Sequence, residues 1–140
     1  MKKITLVAVA ISLILLSGCA KDYYTSYKSN NTDKDVGSLI IRFSDPIKSV
    51  NVTLDGNLVA EDKFTERIEI DKVPVGEHEV KAIASSWQLK KDINKTAQID
   101  VQPNGKQTML VQVPPKSTGY WIYQAVTFSV IFSTSYYLYY

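Results

Sequence analysis

Between Ser38 and Val113 apolar and polar positions alternate, and the alternation predicts strands. Leu39, Ile41 and Phe43 share one parity, and Val50, Val52 and Leu54 form a second such set. Successive strand side chains point to opposite sheet faces, so each set marks one face of a half-buried strand. Leu54-Asp55-Gly56-Asn57-Leu58 follows, and Asp-Gly between apolar residues predicts a two-residue hairpin turn, because both central positions accept positive φ. A further run carries Phe64, Ile68 and Ile70 on one side, with Glu66 intruding, and Val73-Pro74-Val75-Gly76 then makes a turn. Val80, Ala82 and Ala84 alternate with Glu79, Lys81 and Ile83 in a strand expected to reach Trp87. Ile99 and Val101 lead into the turn Pro103-Asn104-Gly105, and Met109, Val111 and Val113 close the set. Short strands at this spacing, with turn chemistry between them and no helical periodicity, predict a mainly β chain with a small antiparallel β-sandwich over residues 38–115.

Both ends of the chain break this pattern. Lys2 and Lys3 precede an apolar run from Ile4 to Leu16, broken only by Thr5 and Ser12, and small residues lead on to Cys19. The run falls short of the roughly 20 residues that span a bilayer, so residues 1–18 read as a secretion signal. Residues 19–37 are polar and poor in aliphatics, and are expected to form a flexible tether behind the signal. Tyr23, Tyr24 and Tyr27 read as exposed linker residues, with headgroup contact as the alternative.

Residues 117–140 contain no charge, and aromatics cluster at both ends of an apolar stretch diluted by hydroxyls. Trp121, Tyr123, Phe128, Phe132, Tyr136 and Tyr137 are its candidate membrane or partner contacts. Three arrangements fit. A transmembrane helix has about the right length, with Ala125, Ser129 and Ser133 as a small-residue stripe. A strand pair would put Val126, Phe128, Val130 and Phe132 on one face, as in an outer-membrane barrel wall. The segment could also pack on the sandwich.

Charge narrows the function. The chain has 16 Lys+Arg and 14 Asp+Glu, and loss of Lys2 and Lys3 with the signal leaves 14 of each. Nucleic-acid binding needs a concentrated basic face, so that class of partner is set aside. The roughly 120 residues behind the signal suffice for one domain with a modest core. His78 is the one histidine and is expected to be a solvated strand residue, since Glu77 and Glu79 beside it point to the other face. No second histidine or second thiol completes a zinc site or a triad. Ser85-Ser86-Trp87 lacks an elbow glycine and a base. Asp33, Asp35, Glu61 and Asp62 read as solvated carboxylates, and Asp55-Gly56-Asn57 lacks the further oxygens of a calcium loop. No catalytic, cofactor-binding or metal residue is assigned, no cofactor is expected, and the chain reads as a non-enzyme.

Two resemblances sharpen this. Leu16-Ser17-Gly18-Cys19 resembles the lipobox of bacterial lipoproteins. That resemblance implies cleavage between Gly18 and Cys19, lipidation of Cys19 with diacylglycerol and fatty acyl chains of the palmitate kind, and a membrane as first partner. Ala20 lacks the aspartate associated with inner-membrane retention, which favours the outer membrane. A helix hydrophobic enough to stop export in the inner membrane would conflict with that address. Gly37-Ser38-Leu39, Val50-Asn51-Val52-Thr53-Leu54-Asp55-Gly56 and Val73-Pro74-Val75-Gly76-Glu77-His78-Glu79-Val80 resemble the PEGA-type small β-sandwich, although Ser44-Asp45-Pro46-Ile47 keeps only the proline of its signature. The implied function is a non-enzymatic cell-envelope lipoprotein whose sandwich binds or scaffolds a protein partner. The first alternative is an oligomerising component of an envelope assembly, associating with itself through residues 117–140. The second is an enzyme acting on envelope polymers.

Overall fold

A computed structural model describes residues 20–28 and 35–139, with side chains as far as Val130. The expected signal sequence, cleavage between Gly18 and Cys19 and lipidation of Cys19 fall on residues outside the described ones. The chain divides into two compact units, of which Ala20–Ser117 holds every strand among the described residues and the other holds the C-terminal helix.

Ala20–Ser117 is built from β1 (Tyr23–Ser26), β2 (Val36–Leu54), β3 (Asn57–Pro74), β4 (Gly76–Ala84), β5 (Ile93–Val101) and β6 (Lys106–Val111). They form one six-stranded sheet in the order β1-β3-β2-β4-β5, with β6 also paired to β2. The sheet is mixed, which corrects the antiparallel expectation. β2 pairs antiparallel with β3 and β4, and β4 with β5, whereas β1–β3 and β2–β6 are parallel. Hairpin turns force antiparallel neighbours only between strands they join, and these two parallel pairs are not joined by one. Within the expected tether, Tyr23–Ser26 is a strand, a second correction. Its backbone pairs in register with Ile68–Asp71, and Tyr27 N donates to Asp71 O at 2.8 Å.

What reads as two strands, 39–43 and 50–54, is one 19-residue strand with an irregular middle. Its register against β3 shifts between Arg42 and Ile47 and again between Ile47 and Val50, and Ser49 takes φ 55°. On β3, Asp62 is also left-handed at φ 47°, and its N–H is held by Asn51 Oδ1 at 2.9 Å. Such irregularities bend a strand and raise its twist. On one side of the bend β2 pairs with β6, on the other with β4. Both ends of β2 then meet the β3–β4 corner. Val36 pairs with Pro74 and Val75 N donates to Asp35 O at 3.0 Å, while Leu54 pairs with Val80 and Asp55 N donates to Glu79 O at 2.9 Å.

The alternating residues supply the core. Leu39, Ile41 and Phe43, Val50, Val52 and Leu54, Val80, Ala82 and Ala84, and Met109, Val111 and Val113 belong to one buried cluster with Ile68, Ile70 and Val101. Phe64 is exposed at 39% and Thr65 is fully buried in its place. Thr65 meets its polar needs locally, donating to Arg67 O at 2.7 Å and accepting from Arg67 N at 3.0 Å. The Asp55-Gly56 turn is as expected, with φ of 51° and 77°. Gly37 serves close approach: a Cβ there would lie 2.5 Å from Gln102 O and 2.9 Å from Gly105 O.

Residues Thr118–Tyr139 form α1, a 22-residue helix. The strand-pair arrangement of the tail is thereby overturned. The transmembrane arrangement is corrected as well, because among the described residues no helix is long and apolar enough to cross a membrane. The cause is compositional. Gln124, Thr127 and Ser129 lie among the apolar residues, and Thr127 and Ser129 satisfy their hydroxyls on Tyr123 O and Ala125 O, each at 2.8 Å.

Candidate functional site

Three of the contact residues singled out from sequence are displayed on α1. Trp121, Tyr123 and Phe128 are exposed, and so are Ile122, Val126 and Val130 between them. Phe132, Tyr136 and Tyr137 belong to the same helix. At 100° per residue these positions go all round the helix axis, so α1 has no single apolar stripe and no charged face. At its start Tyr120 and Trp121 meet edge to face at 5.5 Å, and Gln124 Nε2 donates to the Tyr120 hydroxyl at 3.1 Å. Such a surface is suited to apolar cover, and the sequence of the helix contains no His, Cys, Asp, Glu, Lys or Arg.

The second polar constellation is His78, and it corrects the solvated reading. The ring is buried, with Nδ1 at 2.6 Å from Asp55 Oδ2 and Nε2 at 2.8 Å from Pro74 O. Each ring nitrogen thus faces an oxygen, one of a carboxylate and one of a backbone carbonyl. Asp55 Oδ1 accepts from Glu79 N at 2.9 Å, which ties the hairpin turn to β4 through the same carboxylate. Tyr27 stands edge-on to His78 at 6.5 Å, and Asn57 Nδ2 donates to the Tyr27 hydroxyl at 3.4 Å. An open groove lined by Thr25, Tyr27, Lys28, Asn57 and Leu58 runs beside this clamp. The clamp joins the far end of β2 to the β3–β4 corner. Among the described residues no group of three or more His, Cys, Asp or Glu could hold a metal ion.

A third constellation spans the sheet. Glu69 on β3 is buried and accepts from Arg67 Nη2 at 2.5 Å and from Lys106 Nζ at 2.8 Å. The hydrogen bond and the charge of Glu69 hold the Lys106 ammonium above its ordinary pKa. Arg67 also reaches Asp22 at 4.0 Å, next to β1. This network crosses from β3 to β6 over β2 and reads as structural.

Sequence reasoning missed Glu69, Thr65 and the His78–Asp55 pairing. Each depends on which backbone positions meet across strands, and the 23-residue separation of Asp55 and His78 leaves no local pattern. A signal existed only for Asp55, as the turn residue whose carboxylate is free to reach a neighbouring strand.

No family model matches the chain, and no curated protein is found similar to it.

Proposed function

We propose that the chain is a non-enzymatic lipoprotein of the bacterial cell envelope, held in the membrane by acylated Cys19, with a small β-sandwich that binds or scaffolds a protein partner. The observation that carries this is the Leu16-Ser17-Gly18-Cys19 sequence standing directly ahead of a folded unit that begins at Ala20. Acylation would supply the cover that a lone exported thiol otherwise lacks, and two or three acyl chains at about 0.8 kcal/mol per buried methylene hold firmly. The sandwich reading is supported by the bend in β2, whose two ends meet one corner of the sheet, and by the PEGA-like turns. Strand addition at the outer edges of β5 or β6 offers partner recognition through backbone hydrogen bonds. The outer membrane is the favoured address.

A second reading, an oligomerising component of an envelope assembly, is favoured by one specific feature. α1 exposes Trp121 and Phe128, seven residues apart on one side, and a second copy of the helix would cover that side. Labelling with an alkynyl palmitate separates anchor from helix: the wild-type chain should take up label, and Cys19→Ala should take up none and remain uncleaved. Label retained by Cys19→Ala would end the lipoprotein reading.

A further inference from the structure

Both ends of Ala20–Ser117 leave from one pole. β2 runs toward its bend as far as Phe43 and away from it after Val50, so these residues mark a bend pole, and the β3–β4 corner marks the opposite one. At the bend pole β1 begins with Tyr23 against Ile68, and Asp22 ahead of it reaches Arg67. β6 ends there with Val111 against Phe43, and Val113 N donates to Ser44 Oγ at 3.0 Å. Ala84, paired with both Val50 and Ile93, puts the 85–92 connection at the same pole. Residues 115–117 follow along that connection, with Lys90 N donating to Pro115 O at 2.9 Å and Ser117 N to Gln88 O at 2.8 Å.

Only Ala20, Lys21 and Asp22 separate Cys19 from β1. Four Cα steps reach at most about 14 Å, so an acylated Cys19 keeps the bend pole at the headgroup layer. That pole exposes two large aromatics, Trp87 at 60% and Phe64 at 39%. Lys48 Nζ stands 5.5 Å over the Phe64 ring, and Lys90 and Lys91 are exposed after Trp87. Asp45, Glu66 and Asp92 lie among them, so the pole is mixed in sign. The opposite pole is acidic: Asp35, Asp55, Asp71, Glu77, Glu79 and Asp100 stand against Lys28, Lys72 and Lys106. An anionic bilayer repels the second pole and tolerates the first, while indole rings favour the interface.

From this we infer that the bend pole is a peripheral membrane contact of the β unit, with Trp87 and Phe64 in the headgroup layer, Lys90 and Lys91 toward anionic headgroups, and the acidic pole directed away. The inference rests on the lipoprotein reading and adds an orientation to it.

The test uses acylated full-length protein carrying Trp121→Phe, which leaves Trp87 as the one indole of the two in the chain. It is reconstituted into vesicles of phosphatidylcholine, with or without phosphatidylglycerol, that bear a quencher near the headgroup. Trp87 should lose most of its emission to the lipid quencher, shift to the blue and resist iodide. Lys90→Glu with Lys91→Glu should weaken lipid quenching on phosphatidylglycerol vesicles and leave it on pure phosphatidylcholine. Trp87 as open to iodide on vesicles as in detergent would overturn the contact. So would a Trp87 shielded from iodide but untouched by the lipid quencher, which would mean protein cover. The mass of the N-terminal peptide from the same sample separates the two readings. Acylated Cys19 with an aqueous Trp87 removes the contact alone, and unmodified Cys19 removes the anchor beneath it.

Discussion

Phe43 and Phe128 are the same residue in opposite circumstances: one in the β unit is 1% exposed, the other on α1 is 59% exposed. The difference runs through both regions. In Ala20–Ser117 an alternating pattern and a bent central strand let the sheet bury one face of its side chains in a single cluster. In α1 the apolar residues go round the helix, so no single contact could hide them all. The β unit is therefore equipped to fold on its own contacts, whereas the described side chains of α1 keep large apolar groups exposed.

Substitutions can break that comparison. Phe43→Ala should destabilise the β unit by about 3–5 kcal/mol, read as a lower denaturant midpoint, because it leaves a cavity in the core. Phe128→Ala should change the same midpoint by no more than about 0.5 kcal/mol, as for an exposed site. Comparable losses from both would show that α1 shares the core of the β unit. Next in size is Gly37→Ala, whose added methyl meets the Gln102 and Gly105 carbonyls. About 1–3 kcal/mol should be lost, and an unchanged midpoint would mean that the β5–β6 turn does not approach β2 as described.

Asp55→Ala sharpens the comparison within the β unit, since it tests whether the two ends of β2 are held together. Losing the carboxylate that serves His78 and Glu79 N should cost about 1–3 kcal/mol, while Asp100→Ala, at an exposed edge position, should cost less. Equal effects would leave the clamp without a role. The smallest effect concerns pH. Lys106 is held above its ordinary value of 10.5 by Glu69, so its contribution is full below that pH and is lost as pH rises through the raised value. Between neutral pH and about 11, Lys106→Met should therefore show a shallower fall of the denaturant midpoint than wild type. Parallel curves would remove Glu69–Lys106 as a stabilising pair.

Much of the core was legible because burial follows period two. Val80, Ala82, Ala84, Met109, Val111 and Val113 are inside as their alternation says. The parity change between Phe43 and Val50 was legible too, but as a break between strands. It is the bend inside one strand, where extra residues reset which face points inward. Phe64 misled for the same reason, because a nearby register shift turned Thr65 inward. β1 left little trace, since a polar edge strand is held by backbone hydrogen bonds that most sequences can make. β5 is similarly faint: Asn94, Lys95 and Thr96 are exposed, and only Ala97 and Ile99 are partly covered between its ends. Within the candidate contacts, helix residues could be named from aromatic clusters and absent charge. The bend pole could not, because Trp87 and Phe64 come together only through the fold.

The most direct test of the anchored reading is the mass of the mature N-terminal peptide, isolated from membranes of the expressing bacterium. A peptide that begins at Cys19 and carries diacylglycerol, with or without a further acyl chain, is the expected result. A peptide that begins elsewhere, or one that begins at Cys19 with a free thiol, would contradict it.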